Sequence, residues 1–231
     1  MTENIDVIKS SLLFEGVAEE NIAPMLKCLS ARLRNYAKND FIMHSGERAD
    51  SIGMVLSGSV LVMREDYLGN RGIIANVASG GIFAESWACT QGAALDVSVA
   101  AAEPAVIMLL DIQRVLSVCT SACEFHLRIV RNLISVLAEK NLNFSGKLTH
   151  IACRSIRGKV LSYLYSQAKC GGAEEFDIPF NRQELADYLF VDRSALSAEL
   201  GKMRAEGILE FRKKRFKLKA APRMYNCGRT E

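Results

Sequence analysis

The stretch from Asn181 to Leu209, NRQELADYLFVDRSALSAELGKMRAEGIL, constrains the chain more than any other. Its apolar spacing and its capping residues agree on two short helices joined by a tight turn. The first is expected over Arg182 to Leu189 and the second over Arg193 to Glu206. Asn181 is placed to cap the first helix, and Glu184 can return its carboxylate to that cap. Asp192 repeats the capping role for the second. Leu185 and Leu189 give the first helix one apolar stripe. Leu196, Leu200 and Met203 give the second another, continued by Ile208 and Leu209. The opposite face of the second helix carries Arg193, Ser194, Ser197 and Lys202. Two readings fit that face: a helix laid in the DNA major groove, or a helical hairpin with a solvated outer side.

Charge separates the two readings. Residues 1–150 hold 13 Lys/Arg against 16 Asp/Glu, a net of −3. Residues 151–231 hold 16 against 10, a net of +6. The basic third is the one that contains the hairpin. Because phosphate neutralisation supplies most non-specific affinity for nucleic acid, this favours DNA. No apolar run approaches the roughly 18 residues needed to cross a bilayer, and MTENIDVIKSS lacks the order of a secretory signal. Seven cysteines at irregular spacings suggest reduced thiols in a cytoplasmic protein rather than a disulfide framework.

Upstream, residues 5–30 read as amphipathic helix interrupted near Gly16. From Leu33 to Asp111 short apolar runs alternate with glycine-bearing turns: Phe41–Met43, Ser51–Leu56, Ser59–Met63, Gly72–Val77, Val97–Ala101 and Ala105–Leu110. Many short strands with regular turns predict a β-barrel or roll, with a hairpin at Leu68-Gly69-Asn70. Residues 121–150 then read as one long helix. Leu127, Val130, Ile134, Leu137, Asn141, Phe144 and Leu148 follow alternating spacings of three and four, a coiled-coil seam. Asn141 falls where a buried Asn favours a parallel, in-register pair. A second stripe, Ile129, Leu133 and Val136, is expected to face the β-domain. A further helix is expected over Ile151 to Lys169, then an extended approach through Phe176–Pro179. Past the hairpin, two alternating segments flank Arg212, Lys213, Lys214 and Arg215. They predict a β-wing whose cations meet phosphates, although a charge run is more often simply solvated.

The order of β-roll, long helix, helix-turn-helix and wing resembles the Crp/Fnr family of bacterial transcription factors across nearly the whole chain. The most specific matches are NRQELADYL…DRSALSAELGKMRAEGIL and GGIFAESWACTQGAALDVSVAA. The fold class implied is α+β: an N-terminal β-roll of the cyclic-nucleotide-binding type (1–120), a dimerisation helix (121–150) and a C-terminal winged helix-turn-helix (151–231). The resemblance implies a homodimer that reads a two-fold symmetric operator on double-stranded DNA, with half-sites about 34 Å apart, and works with RNA polymerase. It places Arg193, Ser194, Ser197 and Ala198 at base-reading positions. Arg182, Lys202 and the wing cations Arg212, Lys213, Lys214 and Arg215 complete the expected DNA contacts. Ala198 departs from the Arg common in the best-known members. Phe190 stands where the family usually has Gly, so this turn is expected to take a different conformation, since a bulky residue at positive φ is costly.

The sensor segment departs further. Cyclic-AMP binders supply a Glu for the ribose, then an Arg and a Ser or Thr for the cyclic phosphate. Glu85 matches the Glu, but the phosphate positions are Leu95 and Asp96. A leucine cannot neutralise a phosphate and an aspartate repels it. Unless a cation arrives from elsewhere, cyclic AMP is not expected to bind. Ser86 and Trp87 beside Glu85 then line a site for an unknown small-molecule effector, or a filled pocket with none. Cys119 and Cys123 share a helix face if helical and suggest a redox or metal alternative. They make only half of a metal site, with His126 expected as a lone surface imidazole, so no metal site is assigned. No P-loop, GxGxxG or Ser/His/Asp arrangement supports an enzyme. The remaining competitor, a small-molecule-sensing interaction module that does not bind DNA, leaves the basic third unexplained.

Overall fold

A computed structural model describes residues 4–69, 71–90, 92–116, 124–171, 173 and 175–219. The chain divides into two compact units. The first comprises Met1–Asn70 and Ile74–Asn141; the second comprises Arg71–Ile73 and Leu142–Glu231. Among the described residues no helix is long and apolar enough to cross a membrane.

The first unit begins with α1 (Ile5–Ser10), a 3-10 turn (Leu12–Phe14) and α2 (Glu19–Cys28). The break falls at Gly16, whose φ of +71° ends the helical path. Strands β1 (Arg32–Tyr36), β2 (Phe41–Met43), β3 (Ser51–Ser57), β4 (Ser59–Glu65), β5 (Arg71–Ala78) and β6 (Ile82–Phe83) follow. Next come α3 (Glu85–Ala88), β7 (Ser98–Ala101), β8 (Ala105–Asp111) and α4 (Ile112–Leu116). They form two four-stranded sheets, ordered β1-β8-β3-β6 and β2-β7-β4-β5. Two of these strands, β1 and β6, have no counterpart among the expected runs. β1 is polar and mostly exposed, so it lacks the apolar alternation that marks a half-buried strand. β6 has only two residues.

The inner faces share one core, including Ile52, Met54, Val60, Val62, Val99, Ile107 and Leu110. Gly53 is needed there, because a Cβ would sit 2.1 Å from the Phe83 ring. The long helix α5 (Glu124–Ile151) adds Ile129, Leu133 and Val136 to the same core. This is the stripe predicted to face the β-domain. The other stripe is left outside: Leu127 and Ile134 are 55 % and 61 % exposed.

The second unit holds the end of α5, then α6 (Ile156–Gly171), β9 (Glu175–Asp177), α7 (Arg182–Leu189), α8 (Arg193–Ala205), β10 (Leu209–Arg212) and β11 (Arg215–Leu218). The single helix expected from Ile151 therefore starts later, after a break at residues 152–155. β10 and β11 pair antiparallel with Phe211 opposite Phe216, and β9 adds to the outer side of β11. The extended approach read in the sequence is thus a third strand of the wing sheet. Val160, Leu164, Leu185, Leu189, Leu196, Leu200 and Met203 are fully buried. Tyr163, Phe180 and Tyr188 complete the packing, with the Phe180 and Tyr188 rings 4.7 Å apart.

Candidate DNA interface and sensor site

The two helices of the hairpin are capped as their residue types require. The Asn181 side chain accepts from the Glu184 amide at 3.0 Å, while the Glu184 carboxylate accepts from the Asn181 amide at 2.7 Å. Asp192 accepts from the Ala195 amide at 2.9 Å and from the Ser194 hydroxyl. These bonds hold the Asp192 carboxyl below the ordinary carboxylate range, with the Ser194 bond the largest cause. Between the helices, Phe190 has φ +53° and ψ +57°, the left-handed conformation. The expectation of a different turn is therefore corrected: Phe190 takes the conformation a glycine would. Its amide closes α7 on the Ala186 carbonyl, the Val191 amide bonds the same carbonyl at 3.0 Å, and the Lys159 ammonium donates to the Leu189 carbonyl at 3.1 Å. Closing the helix end offsets the strain of a bulky residue there.

On α8, Arg193, Ser194, Ser197, Ala198 and Lys202 are all exposed, on the face opposite buried Leu196, Leu200 and Met203. The Ser197 hydroxyl donates to the Arg193 carbonyl at 2.9 Å, so its oxygen remains an acceptor. Arg157 on α6 fixes this helix. Its Nε donates to Glu199 at 2.6 Å, and its two Nη atoms donate to Glu206 at 2.8 Å each. These bonds raise the guanidinium pKa and lower that of Glu206. This clamp was not read from the sequence, because its members lie 42 and 49 positions apart.

The predicted phosphate contacts divide. Arg212 and Lys213 are exposed at the wing tip. Lys214 donates to the Pro179 carbonyl at 2.6 Å, and Arg215 pairs with Glu175 at 2.7 Å. The Arg182 guanidinium lies 4.8 Å from the Phe211 ring centroid, with Arg204 5.1 Å from the same ring. Burial pushes the Arg182 pKa down. Arg182 thus packs the wing onto α7 through its planar face.

In the roll, Glu85 and Leu95 point inward, 4 % and 3 % exposed, whereas Ser86 and Asp96 are exposed and Trp87 half-buried. Ala84 before Glu85 has φ +65°, which starts α3 with an inward turn. Glu85 is paired: the Lys140 ammonium of α5 lies 2.8 Å from its carboxylate and donates to the Ile82 carbonyl at 2.6 Å. A cation also reaches Asp96, namely Arg64 of β4, while the Trp87 indole N–H donates to the other Asp96 oxygen at 3.0 Å. The positive charge that a phosphate would need is therefore already matched by a carboxylate. Lys140 was legible in principle, since it continues the buried 129-133-136 stripe at helical spacing.

Cys119 and Cys123 lie outside the described residues. His126 is not on the surface as expected but 7 % exposed, because it falls one turn before Ile129 on the face that packs on the roll. Cys28 and Cys89 are free thiols, while Cys153 is disulfide-bonded. The reduced thiols expected from the spacings are found at Cys28 and Cys89 and not at Cys153, since spacing along a chain does not report which sulfurs folding brings together.

A β-roll followed by a capped helix-turn-helix and a wing defines a DNA-binding transcription regulator. Residues 33–122 match the cyclic nucleotide-binding domain family and residues 158–226 the Crp-like helix-turn-helix family. The chain is 21% identical over 168 residues to the cAMP-activated global transcriptional regulator CRP of Pasteurella multocida, covering 71% of this chain and 78% of that one. Two solved structures share the fold. The c-di-GMP responsive global regulator CLP of Xanthomonas campestris has a TM-score of 0.71 at 20% identity, over 86% of this chain and 100% of that one. FixK2 of Bradyrhizobium japonicum has a TM-score of 0.67 at 19% identity, over 87% and 98%. The chain belongs to the Crp/Fnr family of transcription regulators.

Proposed function

We propose that the protein acts as a homodimer, reads a two-fold symmetric operator with α8 and the β10–β11 wing, and is gated by an effector other than cyclic AMP. The observation that carries the effector reading is the Glu85–Lys140 pair, 2.8 Å apart. The carboxylate that would meet a ribose already has a counter-charge from its own chain. Leu95 is buried, and Arg64, the cation that reaches Asp96 among the described residues, is already committed to that carboxylate. Support for the dimer is the outer stripe of α5. Leu127, Ile134, Phe144 and Leu148 are exposed, Val130 and Leu137 half-exposed, and Asn141 lies on the same line. Such a stripe on a 28-residue helix is costly to leave in water and fits a coiled-coil partner. Base reading is assigned to Arg193, Ser194, Ser197 and Ala198, and phosphate contact to Lys202, Arg212 and Lys213. Arg182, Lys214 and Arg215 act mainly by holding the wing. Contact with RNA polymerase is part of the same proposal, and the family resemblance supports it.

Calorimetry with cyclic AMP on the full chain tests the effector reading, and the expected result is no specific heat. Micromolar binding that disappears in Glu85→Ala would overturn it. Sedimentation gives the dimer, and a Leu127→Glu/Ile134→Glu variant is expected to run as a monomer.

A further inference from the structure

We infer that Ser194 and Ser197 read exocyclic amines in the major groove, N6 of adenine or N4 of cytosine, and that both act there as acceptors. The inference rests on α8 being the base-reading helix and says what two of its side chains recognise. A serine hydroxyl can donate or accept, so by itself it matches any base edge. Here the protein has removed the choice. Ser197 donates to the Arg193 main-chain carbonyl at 2.9 Å, a group that can only accept. Ser194 donates to the Asp192 carboxylate. That carboxyl is held below its ordinary range, chiefly by the Ser194 bond itself, so at neutral pH it is ionised and can only accept as well. With both protons committed inside the protein, each serine presents oxygen lone pairs to a partner.

The rest of α8 leaves this role to them. Along Arg193–Ala205 the side chains that carry oxygen are Ser194, Ser197 and Glu199. Glu199 is half-buried and bound to Arg157 at 2.6 Å. The two serines are exposed on the face opposite Leu196, Leu200 and Met203, about 4.5 Å apart along the helix axis. Adenine and cytosine offer such an oxygen an N–H, whereas guanine and thymine offer it further acceptors. To donate to a guanine or thymine oxygen, either serine must first break its internal bond. Every base pair carries one amine in the major groove, so an acceptor does not separate A·T from C·G. It fixes which strand holds the amine. Arg193 adds a donor fork on the same face, so donors and acceptors are arranged in a set order along the helix.

The test uses the full-length wild type, Ser194→Ala and Ser197→Ala. Selection of bound fragments from a random DNA pool gives the operator, and repeating it with each variant shows which base pair depends on which serine. Two different pairs in each half-site are expected, and the bases found there say whether adenine or cytosine supplies the amine. Base analogues at those pairs are then compared by fluorescence anisotropy. Removing the amine, with purine for adenine or pyrimidin-2-one for cytosine, should weaken wild-type binding about two- to tenfold. The loss should vanish in the alanine variant of the serine concerned. Weakening the acceptors instead, with 6-thioguanine or 4-thiothymine, should give no serine-dependent loss. Thermal unfolding checks that both variants keep the fold. A serine-dependent loss at the thio bases would overturn the inference and leave α8 as the reading helix. So would an amine loss that persists in both alanine variants, or variants that select the wild-type operator unchanged. A wild type that selects no sequence would sink the base reading assigned to α8, and the inference with it.

Discussion

The Lys140 ammonium of the long helix lies 2.8 Å from the Glu85 carboxylate at the head of α3, so a buried acid in the sensor segment is neutralised from within the same chain. The acid is 5 % exposed and the base 37 %, which makes the two ends unequal. Glu85 depends on its partner for charge balance, whereas Lys140 retains access to water.

Glu85→Gln and Lys140→Met should therefore differ. Lys140→Met strands a buried carboxylate and should destabilise the first unit by about 1–3 kcal/mol. Glu85→Gln should cost less, and the double variant less than the sum of the two. Urea unfolding followed through Trp87, the single tryptophan, measures all three.

On DNA, Arg193→Ala should reduce discrimination between operator and mismatched sequences by about 1–3 kcal/mol. Arg212→Ala with Lys213→Ala should instead weaken binding to all sequences alike and flatten its salt dependence. Fluorescence anisotropy across a salt series separates the two effects. If both variants lose the same fraction of specific and non-specific affinity, the division of labour between α8 and wing is wrong.

Arg157 holds α8 through three charge-assisted hydrogen bonds to Glu199 and Glu206. Arg157→Ala should lower the stability of the second unit by roughly 1–2 kcal/mol, discounted for partial exposure. Arg157→Lys should recover little, because an ammonium cannot reproduce the two-pronged contact. A drop in melting temperature shared by both substitutions is the expected observation.

Two buried bases give the second unit a pH dependence. His150, buried and bonded to the Ser162 hydroxyl at 2.7 Å, has its pKa pushed below 6.5 by burial. As pH falls below 6.5 the unfolded chain takes up this proton more readily, so stability is lost in that range. Lys147, with its ammonium 4.1 Å from the Tyr188 ring centroid, is pushed down from 10.5 to about 8 by burial. Between about pH 8 and 10.5 the unfolded state binds more protons, so stability rises with pH. His150→Gln should remove the acid slope, and Lys147→Met the alkaline one, in chemical denaturation repeated across pH.

The sequence by itself determined most of the elements and their order. Periodicity and caps are local properties, so α7, α8, most of the roll strands and both stripes of α5 could be read from neighbouring residues. The charge asymmetry singled out the basic third for the same reason. Tertiary structure decided what those elements put together. Lys140 on Glu85, Arg64 on Asp96, Arg157 on Glu199 and Glu206, and Cys28 against His126 join residues far apart in the chain. Phe190 marks the boundary between the two. The family resemblance marked the position as one where glycine is usual and a bulky side chain is disfavoured, and the packed helix ends on either side of it imposed the left-handed turn regardless, because local preference amounts to a few kcal/mol at most and a closed helix end with its surrounding contacts outweighs it.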